Sequence, residues 1–565
     1  MDNSSNNGAF KLSCIACQLL ASLVLNLPAG NSKEEVSTSA ISLCVTFFGQ
    51  PEDLCRGIIE GNLDVLFDLK DQGIPLTPER VCGTVLENSN CSVKNGPQVD
   101  WQVDTNYGTK VDRITAPSES RYLDSGDEIS IIQLTDIHYD PKYLAGKTAH
   151  CIAPLCCRVD QPNASSETDR ATKYGHYDNC DMPLDVIRSA LEQIKKHKNI
   201  TMVYMTGDLV AHAIWETSRA KNIEVMKVVA ELFREYLGDI PVIPIIGNHE
   251  THPVNVFSPY FVQGPTSTSW VYESFIQYWG WSLPESARQT FLKGGYYSFL
   301  TEKNLRIIVL NTNVYQKLNW WNVLYPVDPN DQLSWLASTL LEAEKSNEKV
   351  HILSHIPPGS EDTMQVFQRE YRKIINRFEY TIAAEFNGHT HYEDITIFYD
   401  KNNSSRATNV AYNGGSITSY YNVNPNYRLY KVARGTWEVT DFDSYTYNIS
   451  SIVNDSEPDW IKLYSFKEEY GLESTRPEEI SKFVIRMMDD NALFDKYFYN
   501  HLKGSNKEHY DEKRKTKILC DIMTSEVADS THCNLLKKVS EPKRKSGFMS
   551  IAEAFINAIK GLRKR

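Results

Sequence analysis

The sequence predicts an α/β protein: a layered β-sandwich flanked by helices, with an all-α unit before it and a helical region after it. Three observations lead to this prediction. Six cysteines and helically spaced apolar residues fill residues 10–93, strand-like apolar runs alternate with helical patterns over 128–450, and helix formers prevail over 451–565. Residues 94–127 form a polar, Pro-containing linker. A chain of 565 residues is too long for one ordinary core, which agrees with this division.

Composition narrows the function classes. The formal net charge is −13, from 59 Lys and Arg against 72 Asp and Glu. Nucleic-acid binding is therefore not expected as the main task, because phosphate backbones are bound by clustered cations. No run of about 20 apolar residues follows the N-terminal segment, so we expect no membrane span. We expect a monomer.

The twelve cysteines and five N-glycosylation sequons indicate an oxidising compartment, so we expect a lysosomal or secreted glycoprotein. The sequons begin at Asn163, Asn199, Asn403, Asn448 and Asn454. A signal peptide is not evident in the given N-terminus. The mostly apolar run 11–27 could serve as one, but Cys14 and Cys17 lie inside it and find partners downstream. A truncated or misassigned start is therefore the favoured interpretation.

The first unit is defined by its cysteines. They stand at positions 14, 17, 44, 55, 82 and 91, and six cysteines alone allow fifteen pairings. A C-x-x-C start, a close middle pair and a close final pair resemble the saposin-like family of lipid-binding domains. The resemblance implies four or five helices closed by the bridges Cys14–Cys91, Cys17–Cys82 and Cys44–Cys55. A zinc or redox pair at Cys14 and Cys17 is the alternative, and the absence of histidine from this unit disfavours it.

The other six cysteines are also expected in disulfides. Cys151, Cys156, Cys157 and Cys180 lie in a loop-rich insert of the central part, and Cys520 and Cys533 form a pair in the C-terminal region. A terminal amphipathic helix is predicted over 548–562, and its apolar face would either pack on the central domain or contact a membrane surface. That face consists of Phe548, Ile551, Ala552, Phe555, Ile556, Ile559 and Leu562.

In the central part, metal-ligand residues follow apolar runs. Strands are predicted at 129–134, 200–205, 242–246, 305–310 and 350–353, with helices around 184–194 and 217–237 and a buried run at 380–386. Ligands bind at strand ends in α/β sheets, and residues i and i+2 share a side. The five clusters are Asp136 with His138, Gly207-Asp208, Gly247-Asn248-His249-Glu250, His355 and Gly388-His389-Thr390-His391.

These residue types suit a two-metal site for phosphoester hydrolysis. Two divalent ions about 3.5–4 Å apart clamp an in-line displacement at phosphorus. A carboxylate must bridge the ions, and Asp208 is the natural bridge. Histidine, aspartate and asparagine ligands suit zinc, with manganese or iron as alternatives. One cluster alone is more often a turn, but five in order predict a metal site.

The ordered clusters resemble the calcineurin-like metallophosphoesterases. Within that superfamily, the neighbouring residues are similar to those of the acid sphingomyelinases, which also carry a saposin domain and a helical C-terminal region. The resemblance covers residues 10 to about 535. The stretches that carry it are G-D-L-V-A-H at 207–212, I-G-N-H-E-T-H-P-V-N at 246–255, H-I-P-P-G at 355–359 and N-P-N-Y-R at 424–428.

The resemblance implies specific roles. His249 would protonate the leaving ceramide oxygen, His212 would hold a phosphate oxygen, and a metal-bridging water would attack phosphorus. Structural roles for both histidines are the alternatives. Tyr420 would line the headgroup site, or else only pack. The implied ligands are Asp136, His138, Asp208 and His391 for one Zn²⁺, and Asp208, Asn248, His355 and His389 for the second.

The function expected from these features is hydrolysis of sphingomyelin to ceramide and phosphocholine by a phosphoric diester hydrolase. The protein would act peripherally at an anionic membrane surface. One alternative is a phosphodiesterase acting on nucleotides or other soluble phosphoesters. The other is a catalytically silent lipid-binding or transfer protein, which the intact ligand set disfavours.

Overall fold

The computed structural model describes residues 14–25, 32–87, 91, 93, 96–104, 128–301 and 304–540. Three sequence-based expectations fall wholly or partly outside these residues. They are the amphipathic helix over 548–562, most of the linker at 94–127, and the two ends of the apolar run 11–27, which is helical over 14–25.

The N-terminal unit is four helices held by three disulfides. Ser32 begins the second helix with a capping box, in which its side chain accepts from the Glu35 backbone and Glu35 accepts in return. Thr77 caps the fourth helix, and Pro78 occupies its first turn. The bridges are Cys14–Cys91, Cys17–Cys82 and Cys44–Cys55, the pairing that the saposin-like resemblance implies. The helices are α1 (Cys14–Leu25), α2 (Lys33–Phe48), α3 (Glu52–Asp71) and α4 (Pro78–Val85).

The central part contains two six-stranded sheets. The first has the order β12-β11-β10-β1-β2-β3 and the second β4-β5-β6-β7-β9-β8. Strands β1, β2 and β3 run parallel, as do β5, β6, β7 and β9. The strands are β1 (Glu128–Leu134), β2 (Ile200–Met205), β3 (Val242–Pro244), β4 (Tyr297–Leu300), β5 (Leu305–Val309), β6 (Lys349–Leu353), β7 (Ile382–Asn387), β8 (Asp394–Asp400), β9 (Asn403–Asn413), β10 (Asn426–Ala433), β11 (Val439–Thr446) and β12 (Ile461–Ser465).

The two sheets pack face to face, which confirms the predicted layered β-sandwich. Side chains cross between them: Gln133 of β1 donates to the Asn387 carbonyl of β7 at 2.9 Å. The Tyr204 hydroxyl of β2 lies 2.8 Å from His351 Nδ1 of β6. The ring of Phe386 lies 5.0 Å from that of Tyr204. Tyr204 and Phe386 belong to one apolar core shared by both sheets.

Helices cover the sandwich, and those at 184–195 and 219–237 agree with the two predicted from periodicity. The C-terminal region is joined to the central part by polar contacts. The Tyr399 hydroxyl of the second sheet lies 2.9 Å from Ser481 Oγ, and Arg372 forms an ion pair of 2.6 Å with Asp529. The helices of the central part are α5 (Leu184–Lys195), α6 (Arg219–Leu237), α7 (Ser269–Trp279), α8 (Arg288–Gly294), α9 (Gln332–Lys345) and α10 (Gln365–Arg377). Those of the C-terminal region are α11 (Phe466–Tyr470), α12 (Pro477–Asp489), α13 (Asn491–His501), α14 (Glu512–Ile522) and α15 (Thr531–Ser540).

The remaining disulfides are Cys151–Cys156, Cys157–Cys180 and Cys520–Cys533, so all twelve cysteines are paired. This disulfide content fits an extracellular or lysosomal protein. Within the part of the chain that the structure describes, no helix combines the length and the apolar character needed to cross a membrane.

The N-terminal unit packs directly on the central part. Val65 and Leu69 of α3 share a small apolar core with Val256, Val262, Trp321 and Leu324. Burying a valine or leucine side chain contributes roughly 1.5–3 kcal/mol. Gly57 permits the close approach, since a Cβ there would lie 2.0 Å from the Trp215 carbonyl oxygen. Helix α3 is therefore seated close to the segment that follows His212.

Candidate metal centre

Five strand ends bring the predicted ligands together. Asp136 and His138 follow β1, Asp208 follows β2 and Asn248 lies just after β3, all in the first sheet. His355 follows β6, and His389 and His391 follow β7, in the second sheet. Because these strands are parallel within each sheet, their carboxyl ends meet at one edge of the sandwich. All seven predicted ligands are gathered there.

Asp208 occupies the middle of the cluster. Its Oδ2 lies 3.2 Å from His355 Nε2 and 3.5 Å from His138 Nε2. On one side, His138 Nε2 lies 3.2 Å from His391 Nε2, which is 3.5 Å from Asp136 Oδ1. Asp208 is thus shared between two groups of donors, which is the position required of a bridging carboxylate.

The second group surrounds Asn248. Its Oδ1 lies 2.9 Å from His355 Nε2 and 3.0 Å from His389 Nδ1. Its amide nitrogen donates to Asn255 Oδ1 at 2.9 Å, which fixes the oxygen toward the histidines. An amide oxygen that faces two imidazole nitrogens is an arrangement typical of ligands to one metal ion.

The hydrogen bonds of the four imidazoles test whether a cation fits. His138, His391 and His355 each direct Nδ1 at a backbone carbonyl, of Val210 at 2.8 Å, Tyr420 at 2.7 Å and Thr206 at 2.7 Å. A carbonyl only accepts, so each Nδ1 carries the hydrogen and each neutral ring presents the lone pair of Nε2. His389 donates from Nε2 to Asp362 at 2.9 Å and presents Nδ1 instead.

In the neutral rings, lone pairs consequently face other acceptors: His138 faces His391, and His389 faces Asn248 Oδ1. Such contacts are repulsive between neutral groups and become attractive when a cation lies among them. Orientation of a metal-binding imidazole by hydrogen bonds from its other nitrogen is the usual arrangement in metalloproteins. The fold and this donor set support a metal cofactor.

The electrostatics favour neutral rings at His138 and His391, but a protonated ring at His355 when no metal is bound. Burial, with His212 adding to it, holds the pKa of both His138 and His391 well below the usual value. Burial opposes ionisation of Asp208, but the neighbouring imidazoles, His355 first, hold its pKa well below the usual range. Burial also lowers the pKa of His355, but Asp208 outweighs it and raises that pKa to about 9. In the absence of a metal, His355 therefore supplies positive charge beside Asp208.

The ligand loops have unusual backbones. Asp136, His138, Asp208, His389 and His391 all have left-handed φ values, between 44° and 74°. Each costs energy for a residue with a Cβ, and such strain concentrates at functional sites.

At two glycines of the motifs, close packing leaves no room for a side chain. A Cβ at Gly247 would lie 2.1 Å from Asp208 Oδ1, and one at Gly388 would lie 2.6 Å from Asp136 Oδ2. Both glycines therefore let the backbone approach a ligand carboxylate.

His249 lies beside the cluster with one ring nitrogen unused. Its backbone N–H donates to Asp208 Oδ1 at 2.9 Å, while its buried Nδ1 has no hydrogen-bond partner among the described residues. Its ring is 4.9 Å from that of His138. Burial lowers the pKa of His249 to about 4, with Asp208 opposing the shift. The ring is therefore a strong acid once it carries a proton.

His212 is held by a carboxylate that sequence reasoning missed. Asp181 accepts from His212 Nδ1 at 2.8 Å and from the His212 backbone N–H at 2.6 Å. The His212 ring stacks between His138 at 3.9 Å and Tyr420 at 4.1 Å. Ring atoms of His212 and His249 come as near to the cluster as those of the predicted ligands, so proximity alone does not separate the two roles.

Two further residues were missed. Asp362 orients His389, and Glu250 accepts from the backbone N–H groups of Asp208 and Leu209 at 3.1 and 2.6 Å. Glu250 stands inside the G-N-H-E motif, so its position was visible although its contacts were not. Neither Asp181 nor Asp362 lies at a recognisable spacing from the histidine it holds.

Comparison with known proteins places this geometry in a family. Residues 129–393 match the calcineurin-like phosphoesterase model, and residues 402–540 match the acid sphingomyelin phosphodiesterase C-terminal region. A sphingomyelin phosphodiesterase from Bos taurus is 33% identical, with 88% of this chain and 79% of the relative aligned. Sphingomyelin phosphodiesterase 1 from Caenorhabditis elegans is 30% identical over 93% of each chain.

A relative with a different printed activity also matches. A cyclic GMP-AMP phosphodiesterase from Rattus norvegicus is 27% identical, with 71% of this chain and 90% of the relative aligned. Its aligned share of this chain is smaller than that of the Bos taurus and Caenorhabditis elegans relatives. With the metallophosphoesterase sandwich, the C-terminal match and identities of 30% and above over most of the length, the chain belongs to the sphingomyelin phosphodiesterase family.

Proposed function

We propose that this protein hydrolyses the phosphodiester bond of sphingomyelin to give ceramide and phosphocholine. It would do so at the surface of an anionic membrane, as a lysosomal or secreted glycoprotein. One observation carries the proposal: the imidazoles of His138, His391 and His389 direct lone pairs at acceptor oxygens or nitrogens around Asp208, in a chain related over most of its length to sphingomyelin phosphodiesterases.

The cofactor would be two zinc ions. Asp208 would be shared between them, since its carboxylate lies between the two donor groups. Bound zinc ions supply positive charge to phosphoryl oxygens and lower the pKa of water. The residues that would hold them are Asp136, His138, Asp208 and His391 for one ion and Asp208, Asn248, His355 and His389 for the other.

The proposed general acid is His249. Its buried Nδ1 has no partner among the described residues, so the ring is free to carry a proton to the leaving ceramide oxygen. The low pKa makes the protonated ring a better proton donor but reduces the fraction that is protonated, so this step is favoured by acid pH.

His212 and Tyr420 would bind the substrate. Nδ1 of His212 donates to Asp181, so Nε2 would donate to a phosphate oxygen when the ring is an imidazolium with both nitrogens protonated. Tyr420 stacks on His212 and would border the headgroup with its other face.

Each of the four predicted segments has a role in this proposal. Residues 10–93 would be a lipid-presenting unit and residues 94–127 a linker. Residues 128–450 would be the catalytic domain and residues 451–565 a supporting region. The lipid-presenting unit would loosen sphingomyelin from the bilayer and pass it to the metal centre. Its seating by α3 beside the segment after His212 supports this arrangement.

The test is cleavage of sphingomyelin in anionic liposomes at acid pH by the full chain, with bis(4-nitrophenyl) phosphate assayed in parallel. Asp208→Asn serves as the metal-site control, with bound zinc counted by mass spectrometry. Cleavage of the lipid that is lost in Asp208→Asn supports the proposal. Cleavage of the soluble ester alone would indicate the nucleotide-type alternative. Bound zinc with neither ester cleaved would indicate a lipid-binding protein.

A further inference from the structure

A buried lysine from the C-terminal region lies directly beneath one loop of the metal centre. Lys503 follows α13 and has no solvent exposure. Its Nζ donates to the Ser416 carbonyl at 2.9 Å, to Ser416 Oγ at 2.6 Å and to the Thr418 carbonyl at 3.3 Å. All three acceptors belong to residues 414–420, here called the 414–420 loop.

The same loop touches the centre at three points. The backbone N–H of Thr418 donates to the Asp136 carbonyl at 2.9 Å. The Thr418 hydroxyl donates to Asp181 Oδ1 at 3.2 Å, the oxygen that also holds His212. The Tyr420 carbonyl accepts from Nδ1 of His391 at 2.7 Å. A shift of this loop would therefore move one predicted ligand and one predicted phosphate-binding histidine together.

Lys503 also determines how closely the loop can pack. A Cβ at Gly415 would lie 2.7 Å from Lys503 Cδ, so the loop backbone rests on the lysine stem. No ion pair joins Lys503 to a carboxylate among the described residues, and taking an ammonium group out of water is costly. Glu393 and Asp136 attract its charge from farther away, but the hydrogen bonds of Nζ all go to the 414–420 loop. Its amino group instead satisfies the hydrogen-bond acceptors of the 414–420 loop.

We propose that Lys503 is a positioning residue for phosphodiester hydrolysis: it fixes the 414–420 loop and, through it, His391 and His212. This inference rests on the proposed function. Loss of the ammonium group would leave buried Ser416 Oγ without a donor. It would also leave the Ser416 carbonyl with only the Asn426 backbone N–H and the Thr418 carbonyl with only the Ser416 hydroxyl. The loop would then relax, which would loosen His391 as a ligand and move Asp181 away from His212.

A matched control lies in the same region. Lys515 of α14 is also buried, and its Nζ donates to Asn491 Oδ1 at 2.6 Å and to the Met488 carbonyl at 3.3 Å. Its partners belong to α12 and α13 and not to the metal centre. Lys515→Met removes a comparable buried ammonium group without touching the 414–420 loop.

The experiment compares the full-length wild type, Lys503→Met and Lys515→Met. Three quantities are measured: kcat and KM for sphingomyelin, the chelator concentration that removes half of the bound zinc, and the urea midpoint of unfolding. For Lys503→Met we expect kcat to fall about 10- to 100-fold with KM within about twofold, and zinc to be lost at about tenfold less chelator. Lys515→Met should lower the urea midpoint similarly and leave kcat and zinc retention unchanged.

A Lys503→Met protein with kcat and zinc retention within about twofold of wild type overturns the inference, and so does a loss of kcat equal to that of Lys515→Met. If Lys503→Met does not fold, Ser416→Ala replaces it, since it leaves the lysine and removes its nearest acceptor. A several-fold lower kcat is then expected, and an unchanged kcat overturns the inference. Absence of sphingomyelin cleavage in the wild type would instead refute the proposed function.

Discussion

Replacing Asp181 by asparagine tests the proposed role of His212 most directly. Asp181 accepts from both Nδ1 and the backbone N–H of His212, at 2.8 and 2.6 Å. Asparagine keeps one oxygen but places an NH₂ group where the other stood. One N–H of His212 then faces a donor, whichever way the amide is turned.

The expected fall in kcat/KM follows from the hydrogen bond between Asp181 and His212 that is lost. A hydrogen bond to a charged group contributes about 1.5–3 kcal/mol, and 1.36 kcal/mol corresponds to a factor of ten in rate. Asp181→Asn should therefore lower kcat/KM for sphingomyelin about 10- to 100-fold. Zinc content should stay at the wild-type level, because Asp181 is not among the proposed ligands.

The assay is cleavage of sphingomyelin in mixed micelles as a function of pH, with bound zinc measured on the same samples. Asp169→Asn is the matched control. Asp169 accepts from the backbone N–H and Nδ1 of His150 at 2.9 and 3.0 Å, which repeats the Asp181 pattern away from the centre. Equal kcat/KM values for the Asp181 and Asp169 variants would refute the assignment of His212 to the substrate.

Other perturbations test the fold and the centre. His351 is buried between the sheets, and burial lowers its pKa to about 4. The unfolded chain, with a histidine pKa of about 6.5, binds more protons, so the free energy of unfolding should fall by up to about 3 kcal/mol as pH drops through this window. Urea unfolding at neutral pH and at about pH 4.5 should show a smaller difference in His351→Asn, and an unchanged difference would contradict the pKa. Gly388→Ala should displace Asp136 and reduce bound zinc, whereas Gly61→Ala, which meets only an ordinary contact at 3.4 Å, should not. Trp321→Ala should cost about 3–5 kcal/mol of stability, because its side chain fills the apolar core beneath α3. A loss below about 1 kcal/mol would show that the N-terminal unit is not held by that core.

The sequence predicted the parts of the site that follow strands. Asp136, Asp208 and His355 each come soon after an apolar run, and parallel strands place their carboxyl ends at one edge. The layered sandwich was predictable for the same reason, since strand and helix periods alternate visibly from residue 128.

No pattern in the sequence indicated the residues that act through long-range contacts. Lys503 meets Ser416 and Thr418 across 87 and 85 residues of sequence, and β1 pairs with β10 with Ser130 opposite Lys431. Pairing across some three hundred residues depends on the whole sheet and leaves no local period in the sequence. Asp181 is similar, because a loop of irregular backbone brings it to His212.

The pairing of β1 with β10 has a consequence for truncated forms of this protein. Every proposed ligand lies at or before residue 391, while β10, β11 and β12 supply half of the first sheet. A chain stopped prematurely just after His391 would contain each ligand side chain and yet leave β1, the strand that presents Asp136 and His138, with a bare edge. Truncating mutations after the last metal ligand should therefore prevent folding, and adding zinc should not restore the folded protein.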